Sequence, residues 1–260
     1  MATASPIILI LGAGPNVGHA VARAFAATGY RVALASRTGK GKAEDGAADQ
    51  LHIASDLSDP QAVVGVFEKV EASLGQPPSV VVYNAYANTP NPPTDPLSIS
   101  PTDFARDLAV NTTSAFVAAQ QAVRGFAQLA GPSPTKVAAD TITTTTTDTT
   151  AAATATASAS KTFIYTGNIL NTMTVAPLLD LGVGKSATAH MIQSAAAAYA
   201  DRGFKFYYAD ERKPDGSPCY SGVDGDAHAR FYVQLAGEDD AQGQGPWLQT
   251  FVKGIGYQRF

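Results

Sequence analysis

Three stretches of this sequence carry residue types and spacings suited to chemistry. The first is "LGAGPNVGHAVA", where Gly12, Gly14 and Gly18 lie between a short apolar run and a helical pattern. Gly12 permits a tight turn, Gly14 lets a pyrophosphate approach the backbone, and Gly18 lets the following helix pack closely. A helix starting there would offer free N–H groups and a positive dipole end to phosphates. The spacing is G-x-G-x-x-x-G, with Val17 in the last glycine slot of the shorter G-x-G-x-x-G form. An ordinary glycine-rich turn is the plainer alternative.

The second stretch is "ALASRTGKGK", at the end of the next apolar run. Ser36, Arg37 and Thr38 are followed by Lys40 and Lys42, with no acid before Glu44. A carboxylate here would accept from a ribose 2′-hydroxyl, whereas an arginine fork attracts a 2′-phosphate. The residues therefore favour NADP(H) over NAD(H), against the alternative of a solvated basic loop. The third stretch is "LLDLGVGKSATAHM", a bland run with one cation, Lys185, preceded by Gly182 and Gly184. Lys185 is either a surface charge or part of a site, and it reads as lying at the start of a helix.

The elements that must position these residues follow from pattern. "PIILILG" is a continuous apolar run, as a strand buried on both faces reads. "VGHAVARAFAATGY" has helical spacing and a stopping glycine at Gly29. "RVALASR", "LHIASDLSD", "PSVVVYNA", "KTFIYTGN" and "FKFYYADE" read as further strands. Between them lie helices from about Pro60 to Ser73, one or two within 101–130, and one opened by "GKSATAHM". Pro60 suits a first turn, and Asp59 or Ser58 its cap. A helix near 225–236 and a last strand near 248–252 complete the chain. This alternation predicts a single α/β domain over 1–260. Its centre is a Rossmann-type, doubly wound parallel sheet of about seven strands with helices on both faces. Ligands would bind at the carboxyl ends of the strands.

Residues 131–160 break the pattern, being nearly all Thr, Ala and Ser. They read as a flexible insertion leaving the sheet away from the ligand crevice. A mucin-like stalk is the other reading, without a secretion signal to support it. Residues 210–247 are rich in glycine and proline and read as a substrate flap.

The totals narrow the class of protein. The chain has 260 residues, 45% hydrophobic and 15% charged, with a net charge of −4 and no dense basic patch. Nucleic acid is therefore not an expected partner. The N-terminal apolar run, 6–11, is far too short to span a membrane and lacks a basic flank. Cys219 is the single cysteine, which excludes an internal disulfide, and it has no basic neighbour to activate it. His19, His52, His190 and His228 show no metal spacing and read as structural. The expected setting is the cytosol. The Ala-rich helices at 115–127 and 185–200 suit a homo-oligomer, dimer or tetramer, although burial inside one chain explains them nearly as well.

Taken in order, these residues resemble the short-chain dehydrogenase/reductase family over roughly 6–130 and 161–210. The matching pieces are "GAGPNVG", then "SDLSD", "YNAY", "AVNTTSAF" and "GVGKSATAH". The resemblance implies that Asp56, with Leu57 beside it, meets the adenine. It implies that Asn84, Ala85 and Tyr86 stand where the family has Asn-Ala-Gly. It also implies that Asn111 is the asparagine of the catalytic tetrad and that Lys185 is its lysine, which also holds the nicotinamide ribose. Gly12, Gly14, Asn16, Val17 and Gly18 would hold the pyrophosphate, and Ser36, Arg37 and Thr38 the adenosine ribose.

The departures are equally specific. Asn16 replaces a family glycine. Leu181 stands four residues before Lys185, where the family has its catalytic tyrosine, and leucine has no proton to give. The family serine falls in "YTGNILNT", nearest Asn168, which is either a polar stand-in for serine or a turn residue. Replacement acids would come from Tyr83, Tyr86, Tyr165, Asp180, Tyr207, Tyr208, Asp210 or Glu211, with Tyr86 and Asp180 foremost. Two readings stay open. One is an NADP(H)-dependent oxidoreductase acting on a small carbonyl, alcohol or imine with a non-standard proton donor. The other is a non-redox protein on the same fold, either a binding or regulatory protein or an isomerase or cyclase.

Overall fold

The computed structural model describes residues 5–39, 50–131, 160–237 and 243–260. The Thr-rich stretch therefore lies almost wholly outside the described residues, as do Lys40, Lys42 and Glu44.

Among the described residues, eight strands form one sheet. They are β1 (Ile7–Leu11), β2 (Arg31–Ser36), β3 (Gln50–Ala54), β4 (Val80–Tyr83), β5 (Thr162–Thr166), β6 (Lys205–Arg212), β7 (Leu248–Val252) and β8 (Gly256–Tyr257). The spatial order is β3-β2-β1-β4-β5-β6-β7-β8. The first seven are parallel, and β8 closes the edge antiparallel to β7. The helices are α1 (Val17–Ala27), α2 (Pro60–Leu74), α3 (Pro101–Leu108), α4 (Ser114–Ala130), α5 (Leu179–Tyr199) and α6 (Gly225–Ala236).

The continuous apolar strands are explained by burial on both faces. Ile7, Leu9 and Leu11 face a core shared with α2, α4 and α5. Ile8 and Ile10 face a second core shared with α1 and α6. A two-residue period fills both layers, so no polar alternation survives. Tyr83, Tyr165 and Tyr208 sit in register on β4, β5 and β6 and stack with ring centroids 5.8 and 5.6 Å apart.

Local signals account for most boundaries. Asp59 caps α2 by accepting from the Gln61 N–H, with Pro60 in the first turn. Ser100 and Asp224 cap α3 and α6 in the same way. Two expectations become definite and one needs adjusting. The sheet has eight strands, because the two-residue β8 is too short to leave a pattern. The segment 101–130 is one continuous helical run, with a π turn at Ala109–Thr113 joining α3 to α4. Finally, α5 begins at Leu179, so Lys185 lies in its second turn rather than at its start. Gly182 and Gly184 are inside the helix, not before it. The reason at Gly184 is close packing: a Cβ there would stand 2.5 Å from the Asn111 Cβ.

Candidate active site

The carboxyl ends of β1, β4, β5 and β6 open into a cavity of about 540 Å³. At one end is the first βα turn. Gly12 adopts φ +93, and a side chain there would strike the Ala85 backbone N at 2.4 Å, so only glycine fits. Gly14 has open space in front of it, with no atom within 4 Å of where a Cβ would stand, and it lines the cavity with Pro15, Asn16 and Val17. Gly18 packs against Ala13. Asn16 precedes α1 but does not cap it. Its side chain turns to the far end of the chain, donating from Nδ2 to the Val223 carbonyl (2.9 Å) and accepting at Oδ1 from the Gly225 N–H (3.0 Å). The first turn of α1 contains no acid.

Beyond β2, Arg37 and Thr38 are exposed, and the Ser36 carbonyl accepts from the Gly39 and Ser55 N–H groups. Hydrogen bonds from Ser58 hold the exposed Asp56 carboxylate below its ordinary range, and the Arg37 charge adds to this. Leu57 points into the core, and its carbonyl accepts from the Ser114 hydroxyl. After β4, Asn84 lines the cavity and donates to the Gly12 carbonyl at 2.8 Å. Ala85 donates to the Leu11 carbonyl, and Tyr86 stands at the rim, 69% exposed.

Lys185 reaches the cavity from α5 and is 4% exposed. Its Nζ donates to the Thr166 carbonyl at 2.8 Å and lies 4.5 Å from the centroid of the Tyr165 ring. Burial pushes its pKa down to about 7, with Asp210 pulling the other way. Leu181, one turn earlier on the same helix, also lines the cavity.

Asn111 does not reach the cavity. It sits in the π turn, fully buried, with its side chain exchanging both bonds with Ala87. Its carbonyl accepts from the Tyr165 and Thr188 hydroxyls. Its side chain makes one bond at each amide atom and stands away from the cavity lining. Asn168 lines the cavity, but its Oδ1 accepts from the Leu170 N–H and caps the short turn Ile169–Asn171. Of its side chain, this leaves the amide nitrogen for a ligand.

Asp180 is also withdrawn from the cavity. It is fully buried, accepts from the N–H groups of Thr89 (2.8 Å) and Leu181 (2.7 Å), and lies beside Asp107. Burial and then the neighbouring Asp107 raise its pKa. Asp107 is desolvated too, but bonds from Asp180, Thr89 and Arg106 outweigh that and leave its pKa lowered. The pair fastens the loop after β4 to α3 and α5. Tyr83, Tyr165 and Tyr208 are core residues whose hydroxyls bond to backbone carbonyls.

Three features of the cavity go beyond the sequence reading, which names Asp210 and His228 but not their pairing or burial. Asp210 and Arg212 form a buried pair, with Nη2 to Oδ2 at 2.6 Å, and burial raises the Asp210 pKa. His228 lines the cavity with its Nδ1 at 2.9 Å from the Asp224 carbonyl and 3.5 Å from Glu211. Burial pushes its pKa down to about 4, so it is neutral. Tyr220 lines the rim with φ 48, the one positive-φ residue other than glycine among the described residues. The charged run "ADER" at a strand end is the signal for the first; nothing local marks the other two. Cys219 also lines the cavity, its thiol pushed up by burial and then by Glu211 and Asp210. Among the described residues no cluster of three or more His, Cys, Asp or Glu could hold a metal. No described helix is long and apolar enough to cross a membrane.

Comparison with known proteins now decides the family. A profile described as Enoyl-(Acyl carrier protein) reductase matches residues 12–164. The short chain dehydrogenase/reductase dmxR12 of Cryptosporiopsis sp. (strain 8999) is 43% identical over 267 residues, spanning 98% of this chain and 95% of that protein. The chain belongs to the short-chain dehydrogenase/reductase family. Solved structures share this fold at low identity. A metagenomic short-chain oxidoreductase in complex with NADP superposes with TM-score 0.68 at 17% identity, covering 96% of this chain and 97% of that one. A 3-ketoacyl-(acyl-carrier-protein) reductase from Brucella melitensis, complexed with NADH, gives 0.71 at 15%, covering 97% and 99%. Within this short-chain dehydrogenase/reductase, the glycine turn, Asn84 and Lys185 converge on one cavity, whereas Asn111, Leu57 and Asp180 support it from behind.

Proposed function

We propose that this chain is an NADP(H)-dependent oxidoreductase for a small carbonyl, alcohol or imine, with a proton donor other than the family tyrosine. The observation that carries the reading is Lys185, a buried cation held in a cavity that begins at an open glycine turn. The residues fit a dinucleotide. The space before Gly14 suits a pyrophosphate, and α1 starts without a side-chain cap or an acid, leaving the Val17 and Gly18 N–H groups for an anion while His19 bonds the Gly14 carbonyl. Arg37 stands exposed at the end of β2, suited to a 2′-phosphate. The solved neighbours named above carry NADP in one case and NADH in another, so the preference for NADP(H) rests on Arg37.

The nicotinamide, when bound, supplies or accepts the hydride. The protein's own residues do the rest. Lys185 orients the ribose and, with a pKa near 7, holds a proton at Nζ that it can release at neutral pH, where Leu181 holds none. Thr166 and the Tyr165 ring keep that ammonium in place. Asn168 offers its amide nitrogen to a substrate oxygen. Ile169, Leu170 and Leu178 keep the wall dry. The reading extends to a cytosolic homo-oligomer joined through α4 and α5, where Phe116 and Val183 are exposed. Leu181 also favours the non-redox alternative, and cofactor binding is the first point of decision. Calorimetry with NADPH and NADH, on the natural protein and on Arg37→Ala, tests it. The expected result is NADPH binding that Arg37→Ala weakens by about tenfold or more, as for a lost charged hydrogen bond, with NADH unaffected. Absence of binding to either nucleotide would sink the oxidoreductase reading.

A further inference from the structure

Two tyrosines stand apart from the other exposed apolar side chains. Tyr86 (69% exposed) and Tyr220 (63% exposed) line the cavity, and the remaining large exposed hydrophobics do not. They come from different elements: Tyr86 from the loop after β4, Tyr220 from the segment between β6 and α6. Tyr220 is held at φ 48, a conformation glycine adopts freely and a bulky side chain does not. Its segment is pinned on both sides. Arg212 pairs with Pro218, the Lys213 N–H donates to the Ser217 carbonyl, and the Gly222 N–H donates to the Cys219 carbonyl. Such strain persists where the surroundings over-determine it, and it concentrates at ligand clamps. A turn alone would be served by glycine or asparagine, and here the position carries an aromatic ring at the cavity instead.

The same cavity is lined by the apolar side chains of Ile169, Leu170, Val175, Leu178 and Leu181. Asp210, paired with Arg212, and Glu211 also line the cavity, and the Glu211 carboxylate disfavours an anionic ligand beside it. Aromatic faces bind other aromatic rings by offset stacking or edge contacts. We propose that Tyr86 and Tyr220 form an aromatic rim that grips an uncharged, flat aromatic ketone, with its oxygen turned inward toward Lys185. This deepens the oxidoreductase reading and rests on it for the identity of the reacting group, while the rim's binding preference stands on the two tyrosines.

The test is binding of 1-tetralone, an uncharged bicyclic aromatic ketone, followed by saturation-transfer NMR without cofactor. NADPH calorimetry on the same samples reports separately on the cofactor reading. The natural protein should bind 1-tetralone. Tyr86→Ala and Tyr220→Ala should each weaken it about three- to tenfold, and the phenylalanine variants should retain it. Tyr220→Gly should weaken binding as much as Tyr220→Ala while Tm stays level or rises, which separates ligand contact from a structural role. No saturable binding of 1-tetralone, or an affinity unchanged in both alanine variants, would overturn the proposal. Displacement of 1-tetralone by acetoacetyl-CoA that ignores both substitutions would also overturn it, assigning the cavity to a linear acyl chain instead.

Discussion

Replacing Lys185 by methionine should stabilise the protein at neutral pH, and by an amount that depends on pH. Lys185 is 4% exposed, and burial moves its pKa from 10.5 to about 7. The folded-state value lies below the unfolded one. Between pH 7 and 10.5 the unfolded chain therefore binds a proton that the folded chain has given up, and stability rises with pH across that window. The full cost of the buried charge is present below pH 7. At 1.36 kcal/mol per unit it is about 4 to 5 kcal/mol at pH 6 to 7, falling to about 2 kcal/mol at pH 9. Methionine removes this cost but leaves the Thr166 carbonyl without its donor, a loss of about 1 to 2 kcal/mol. The net gain of Lys185→Met is about 3 kcal/mol at pH 6 to 7 and about zero at pH 9. Urea unfolding of both proteins, at intervals from pH 6 to pH 9, measures the difference directly, and other titrating groups cancel between the two. A difference that stays flat over that range would refute the reasoning, because it would mean Lys185 keeps its proton in the folded state. The same substitution should weaken NADPH binding, so stability and cofactor affinity move in opposite directions.

Two further outcomes follow from the geometry. Leu181→Tyr places a phenol one helical turn from Lys185 on the cavity wall; it should raise NADPH-dependent carbonyl reduction by about 10²- to 10⁴-fold, the usual contribution of a positioned acid, read as loss of absorbance at 340 nm. Unchanged turnover with intact NADPH binding would show that proton supply is not what limits this site. Gly167→Ala puts a Cβ 2.0 Å from the Tyr208 ring, which is fully buried and bonded to Asn168 on both sides, so it should cost at least about 3 kcal/mol in urea unfolding.

Much of this was legible in the sequence because its causes are local. Doubly buried strands leave runs such as "IILIL" and "VVVY", and capping leaves Asp59 before Pro60. The glycine turn announces itself because Gly12 must adopt a conformation other residues resist. What escaped depends on partners distant in sequence. The start of α5 was obscured because Gly182 and Gly184 look like helix breakers, whereas Gly184 answers to Asn111 across the interface. Asn111 and Asp180 looked like site residues from their positions. The structure commits them to Ala87 and to Thr89, to which no spacing rule points. Tyr220 was invisible, since a strained φ has no compositional signature when the residue is not glycine.

The bonds of Asn16 bear on the order in which the molecule is made. They join a residue of the first βα turn to partners 207 and 209 positions later. Domains emerge amino end first at about 5 to 20 residues per second. When β1, α1 and β2 have formed, the glycine turn still lacks the backbone that Asn16 grips. The Asn16 side chain finds its partners only after the segment before α6 has left the ribosome. The amino-terminal half, made alone, would carry the glycine turn and its local bonds to Ala35 without the clasp that ties the turn to the carboxyl-terminal part.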